Sequence, residues 1–168
     1  MSNAKKFGVF LVVLLCAACM FVFIYTLVKL SLQEGDSSSR LTQAVVKQIG
    51  EAAFDQELDA NQIQALNLFL RTMAHFVLFS ILSFGMCTVA FLVFARPAGR
   101  FFGLVLNMFI CAALAYGTEY FKQFVDGRHF QIEDAWLNIY GVMIGLCSFL
   151  IADLIFWAIR ARSASGSE

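Results

Sequence analysis

The stretch Tyr116–Gly145, YGTEYFKQFVDGRHFQIEDAWLNIYGVMIG, joins the end of one strongly apolar segment to the start of another. Between them it carries Glu119, Gln123, Asp126, Arg128, His129, Glu133, Asp134 and Asn138. Burying charge is costly unless each group is paired, so this much polarity in one place of an apolar chain marks a site that the spans are arranged to hold.

Working outward, the composition agrees with that reading. Of the 168 residues 60% are hydrophobic and 14% charged, the mean hydropathy is +0.75 and the formal net charge is zero. Soluble domains carry about 25% charged residues, so the chain reads as lipid-embedded. A single Pro and 19 Phe suit helices facing acyl chains. Zero net charge and the lack of a basic stripe argue against nucleic acid as a partner. Cys16, Cys19, Cys87, Cys111 and Cys147 all fall in apolar runs and read as small packing residues, including the Cys16–Cys19 CxxC. No zinc or nucleotide motif is present, and neither a metal nor a cofactor is expected.

The sequence predicts an all-α fold, one membrane domain of four transmembrane helices. The spans are expected at about 7–28, 68–95, 101–120 and 135–159, each long enough to cross a bilayer core. The opening Met1–Ala4 carries no fold information. Lys5 and Lys6 then precede the first span, which stays apolar well beyond the roughly 7–15-residue core of a cleaved signal peptide and so reads as an uncleaved anchor. Residues 31–67 form the long polar connection. Leu41, Val45 and Ile49 recur every fourth residue there, as in an amphipathic helix on the extracytoplasmic side. Asp59 and Gln62 have capping-box spacing, predicting a helix start near Ala60. That helix is expected to run along the interface, with Ile63, Leu66 and Leu70 inward, before entering the membrane. Arg96-Pro97-Ala98-Gly99-Arg100 turns the chain between spans two and three.

Lys5/Lys6, Arg96/Arg100 and Arg160/Arg162 fall on one side of a four-span chain. The positive-inside rule then gives a multi-pass protein of the cell membrane with both termini cytoplasmic, and puts loops 31–67 and 122–134 outside.

This topology gives the polar residues a common depth. Arg71 and His75, Glu119 and Gln123, and Asp134 and Asn138 are three i,i+4 pairs at the outer ends of three spans. Arg128 and His129 hang above them in a loop turned by Asp126-Gly127. Each residue also has a bland role: Arg71 can snorkel, His75 can be a core histidine, Asp134 can cap its helix and Asn138 can bond between helices. Glu119 needs a cation, and Arg71 or Arg128 is the expected partner. Gly141 and Gly145 form GxxxG on the same stripe as Asp134 and Asn138. Their close neighbour is either this chain or a second copy, which would make a homo-oligomer. Alanine is expected to fit at both positions and leucine is not.

These residues carry a resemblance. Arg71-Thr72-Met73-Ala74-His75-Phe76, Glu119 with Gln123, Gly127-Arg128, and Asp134-(x)3-Asn138-(x)2-Gly141-(x)3-Gly145 resemble the VanZ-like family. The serine-containing stretch from Ser31 to Ser38 is similar more weakly, and Asp126 stands where the family often has proline before Gly-Arg. The resemblance implies a bacterial cell-envelope protein and a link to resistance against the glycopeptide teicoplanin. It implies no particular reaction.

Two functions compete. In one, Arg71, Gln123, Arg128 and Asn138 bind an anionic or sugar-bearing amphiphile, a membrane lipid or lipid-linked envelope precursor, and so alter antibiotic access. In the other, a membrane-embedded hydrolase or transferase acts on such a headgroup, with Glu119 and Asp134 as base and acid and His75 as proton carrier. Transport is the weaker third, for want of an internal repeat or a charge chain across the membrane.

Overall fold

The computed structural model describes residues 3–31, 59–94, 96–125 and 129–165. Four long helices account for nearly all of them: α1 (Asn3–Ser31), α2 (Ala60–Val93), α3 (Pro97–Phe121) and α4 (Ile132–Ser165). All four are long and apolar enough to cross a membrane. The amphipathic segment expected around Leu41–Ile49 lies outside the described residues.

Helix α2 starts where the sequence indicates. Asp59 caps it, and the reciprocal Asp59–Gln62 capping box is present, with Asp59 N–H donating to Gln62 Oε1 at 3.0 Å. The helix expected to start near Ala60 and the span expected from about residue 68 are one and the same element. Ala60–Val93 is one continuous helix of 34 residues, and its sequence has no glycine before Gly85 and no proline to break it. At about 1.5 Å per residue it is roughly 50 Å long, well beyond a ~30 Å hydrocarbon core. Its first turns therefore project from the membrane or the whole helix tilts.

The turn after α2 is tight because Pro97, whose missing N–H matters least in a first turn, opens α3 directly. Arg100 secures the corner, its Nε donating to the Phe94 carbonyl at 3.1 Å. Helix α3 thus begins four residues earlier than expected, and α4 three residues earlier, at Ile132.

Helix α2 is the hub, packing on each of the other three and most extensively on α4. The pairing directions follow from individual contacts. Met20 meets Gly85 while Ser31 meets His75, so α1 and α2 are antiparallel. Asn107 meets Ser83 while Gly103 faces Phe94, so α3 also runs against α2. Gly141 faces Phe76 and Gly145 faces Ser80, so α4 lies parallel to α2. The start of α1, the α2–α3 corner and the end of α4 consequently share one end of the bundle.

The core is formed by Leu27, Phe79, Leu82, Cys111, Ala115 and Val142. The α2–α4 contact is set by the glycines. A Cβ added at Gly141 would overlap the Phe76 carbonyl oxygen, and one at Gly145 would overlap the Ser80 carbonyl oxygen. Backbones this close gain dispersion and weak Cα–H···O contacts that side chains would prevent. The close neighbour of GxxxG is therefore this chain's own α2. The expectation that alanine fits at these positions is also corrected: a rigid carbonyl leaves no room even for a methyl group.

A second buried feature lies midway along α2 and α3. Asn107 Nδ2 donates towards the Ser83 carbonyl and Oγ, both at 3.3 Å, and to Cys87 Sγ at 2.9 Å. Cys111 donates back to Asn107 Oδ1 at 3.1 Å. Cys87 thus joins α2 to α3 through Asn107, and Cys111, which shares α3 with Asn107, reaches α2 by donating to Met86 Sδ at 3.7 Å. Cys19 and Cys147 lie on the outer surface of the bundle.

Candidate functional site

At the end of the bundle opposite the arginine-bearing corner, α2, α3 and α4 converge on a small cleft lined by Leu68, Arg71, Thr72, His75, Lys122, Asp134 and Asn138. Arg71, Thr72 and His75 share a face of α2 because three- and four-residue steps return to the same side of a helix. Asp134 lies in the first turn of α4, where the helix dipole favours its negative charge. Asn138 follows one turn on and is buried.

The departure from the expected arrangement lies at the end of α3. There the helix tightens into a 3-10 turn over Lys122–Phe124, closed by Val125 N–H donating to the Lys122 carbonyl at 3.0 Å. Three residues per turn bring i+3 almost directly over i and swing i+4 away. Lys122 is thereby carried onto the Glu119 face and is buried, while Gln123 points outward and does not line the cleft.

Glu119 is 1% exposed and ion-paired to Lys122. Among the described residues the cation at Glu119 is thus Lys122 and not the expected Arg71, and the other expected partner, Arg128, lies outside the described residues. Neither Glu119 oxygen accepts a hydrogen bond within the described residues, and among those residues Lys122 is the cation that compensates the carboxylate. Lys122 Nζ also lies 3.9 Å from Asp134 Oδ2, linking α3 to α4. The i,i+4 pattern that pairs Glu119 with Gln123 passes over Lys122. Its i,i+3 spacing from Glu119 was the available signal.

The remaining residues distribute plainly. His75 Nδ1 is 3.4 Å from the hydroxyl of Ser31, a buried residue at the last position of α1. His129 is exposed, and Arg128 lies outside the described residues. Arg71 is partly buried and forms no ion pair among the described residues. Asn67, one turn before Arg71, is buried with its Oδ1 accepting no hydrogen bond among the described residues. The structure thus brings Arg71, His75, Asp134 and Asn138 together, with Glu119 behind Lys122 and Gln123 outside.

The cleft holds about 20 Å³, room for a single water molecule. Chemically it offers an arginine without a counter-ion among the described residues, a lysine between two carboxylates, an imidazole and a buried amide.

Four antiparallel and parallel helices, each long and apolar enough to cross a membrane, define a multi-pass helical membrane protein. A family model described as VanZ/LLP1 matches residues 7–155, and the chain belongs to that family. No curated protein and no solved structure matches the chain.

Proposed function

We propose that this is a bacterial cell-envelope protein whose polar cleft recognises an anionic or sugar-bearing amphiphile at the outer face of the membrane, contributing to teicoplanin resistance. The observation that carries the reading is the charge arrangement. Lys122 is balanced by Glu119 and Asp134, whereas Arg71 reaches the same cleft with no counter-ion among the described residues. A guanidinium in this state suits a phosphate or carboxylate, which it can grip with two parallel hydrogen bonds. Because the cleft admits only a water-sized group, the headgroup meets Arg71, His75 and Asp134 at its mouth.

The orientation is part of the proposal. The start of α1, Arg96 and Arg100, and Arg160 and Arg162 share one end of the bundle, and the positive-inside rule assigns that end to the cytoplasm. Both termini are then cytoplasmic and the cleft faces outward.

The alternative, a hydrolase or transferase, draws on the Ser31–His75 pair beside Asp134, a hydroxyl next to a potential base. In that reading Asp134, half-exposed in the cleft, is the carboxylate placed for proton transfer, and Glu119 positions Lys122.

The test is Arg71→Gln and Arg71→Lys in cells, scored for teicoplanin susceptibility and membrane abundance. Arg71→Gln is expected to abolish the resistance contribution at normal abundance, with Arg71→Lys restoring part of it. Full resistance in Arg71→Gln at normal abundance refutes the binding reading. Loss in Ser31→Ala with Arg71→Gln unaffected favours the enzyme.

A further inference from the structure

At the other end of the bundle a much larger cleft opens between the last turns of α2, the start of α3 and the second half of α4. Its volume is about 750 Å³, within the ~300–1,000 Å³ range of ligand sites. One wall is apolar: Phe91, Leu92 and Phe149 on one side, Leu154 and Trp157 on the other. Phe149 stacks edge-on against Phe91 at 4.7 Å and closes the inner limit of the cleft. Beyond Phe149, every described side chain of α4 is exposed, so this half of the helix leans free of the bundle.

Two arginines reach into the cleft from opposite walls. Arg100 is held over the Phe91 ring at 4.9 Å and by the Phe94 carbonyl, and Arg160 lies over the Phe156 ring at 5.3 Å. Asp153 also lines the cleft but lies beyond ion-pair distance of both. With two cations and one anion the cleft carries a net positive charge, and neither guanidinium has a carboxylate partner among the described residues.

We propose that this cleft is a docking site for an acidic phospholipid, with the phosphate between Arg100 and Arg160 and an acyl chain along Phe91, Phe149, Leu154 and Trp157. Charge complementarity selects the occupant. A zwitterionic lipid would offer the arginines a phosphate already balanced by its own ammonium, and a second copy of this chain would bring another basic end, Arg96 to Arg100 and Arg160 to Arg162, against this one. Basic pockets between transmembrane helices have the chemistry that acidic headgroups require. The long apolar wall favours a lipid over a free phosphate ion.

Trp157 reports on occupancy, provided the other tryptophan, Trp136 at the far end, is silenced by Trp136→Phe. The full chain carrying that change is reconstituted in phosphatidylcholine vesicles with rising fractions of brominated phosphatidylglycerol or brominated phosphatidylcholine. Quenching of Trp157 by the acidic lipid is expected at about thirtyfold lower mole fraction than by the zwitterionic one, the scale set by two basic contacts near the membrane surface. Arg160→Gln, an exposed position where folding is not at stake, should remove most of this preference. Arg100→Gln/Arg160→Gln should remove the rest, and Arg96→Gln, outside the cleft, should leave it intact. Equal quenching by both lipids, or a preference that survives in Arg100→Gln/Arg160→Gln, overturns the proposal. So does abolition of the preference by inorganic phosphate, which would mark an ion site. Protection of Trp157 from both lipids, with disulfide cross-linking between copies through a cysteine at position 154, would assign the cleft to a second copy instead.

Discussion

Replacing Lys122 with methionine keeps most of the side-chain volume and removes only the charge, taking from Glu119 its ion-pair partner among the described residues. Glu119 is 1% exposed, and its oxygens accept no hydrogen bond within the described residues. Breaking a buried ion pair from one side costs about 3–5 kcal/mol, because the surviving charge stays buried. Lys122→Met should therefore lower stability by that amount. Glu119→Gln should cost less, since Lys122 keeps Asp134 at 3.9 Å. In the double variant both charges are gone, and exchanging a whole buried pair for neutral groups is often close to neutral. Thermal melts of the purified protein in detergent, arranged as a double-mutant cycle, measure the difference. The expected result is a double variant more stable than Lys122→Met alone, by about 2 kcal/mol or more. If the two single effects simply add, or if Lys122→Met melts with the wild type, the Glu119–Lys122 pair is not what closes this end of the bundle.

Gly145→Ala should destabilise by about 1–3 kcal/mol, since a methyl group there meets the Ser80 carbonyl; an unchanged melting temperature would refute the α2–α4 packing. Asn107→Leu should cost about 1–2 kcal/mol by removing the links to Ser83 and Cys87, at roughly 0.6 kcal/mol for each interhelical bond; melts of the purified variant decide it. Gln123→Ala, outside the cleft, should leave teicoplanin susceptibility unchanged, and a loss equal to that of Arg71→Gln would contradict the 3-10 geometry. In a cysteine-free background, single cysteines at positions 98 and 165 should resist impermeant labelling in intact cells while one at 131 reacts, and the reverse pattern would invert the proposed topology.

How much of this was legible in the sequence depended on which physical rule governed each residue. The four spans and the α2 start were readable because hydropathy and the Asp59–Gln62 box act locally. The stripe of Asp134, Asn138, Gly141 and Gly145 was readable because an uninterrupted helix preserves its phase. Phase failed at Glu119. Extending the α-helical period through Gln123 put the wrong residue on the inner face, since the 3-10 turn that brings in Lys122 has no propensity signature of its own. The alanine tolerance of Gly141 and Gly145 was misjudged for a different reason. Spacing reveals a close approach, but not whether side chain or backbone stands opposite, and here it is backbone. The pairing of Asn107 with Ser83 and Cys87 depends on which helices become neighbours, and no single segment encodes that.

The central place of α2 also bears on how the chain is made. Synthesis proceeds from α1 onward, so α2 is complete while its main partner, α4, does not yet exist. Until Gly141 and Gly145 emerge, the α2 surface around Phe76 and Ser80 has lipid or an insertion factor for company, and Ser83 likewise awaits Asn107. The early α1–α2 hairpin is thus an unfinished half-interface, and the α3–α4 hairpin arrives to dock upon it. A nascent chain stalled before residue 141 would expose that surface to the membrane's quality-control proteases, whereas one extended past Phe149 already carries the last buried residue described in α4.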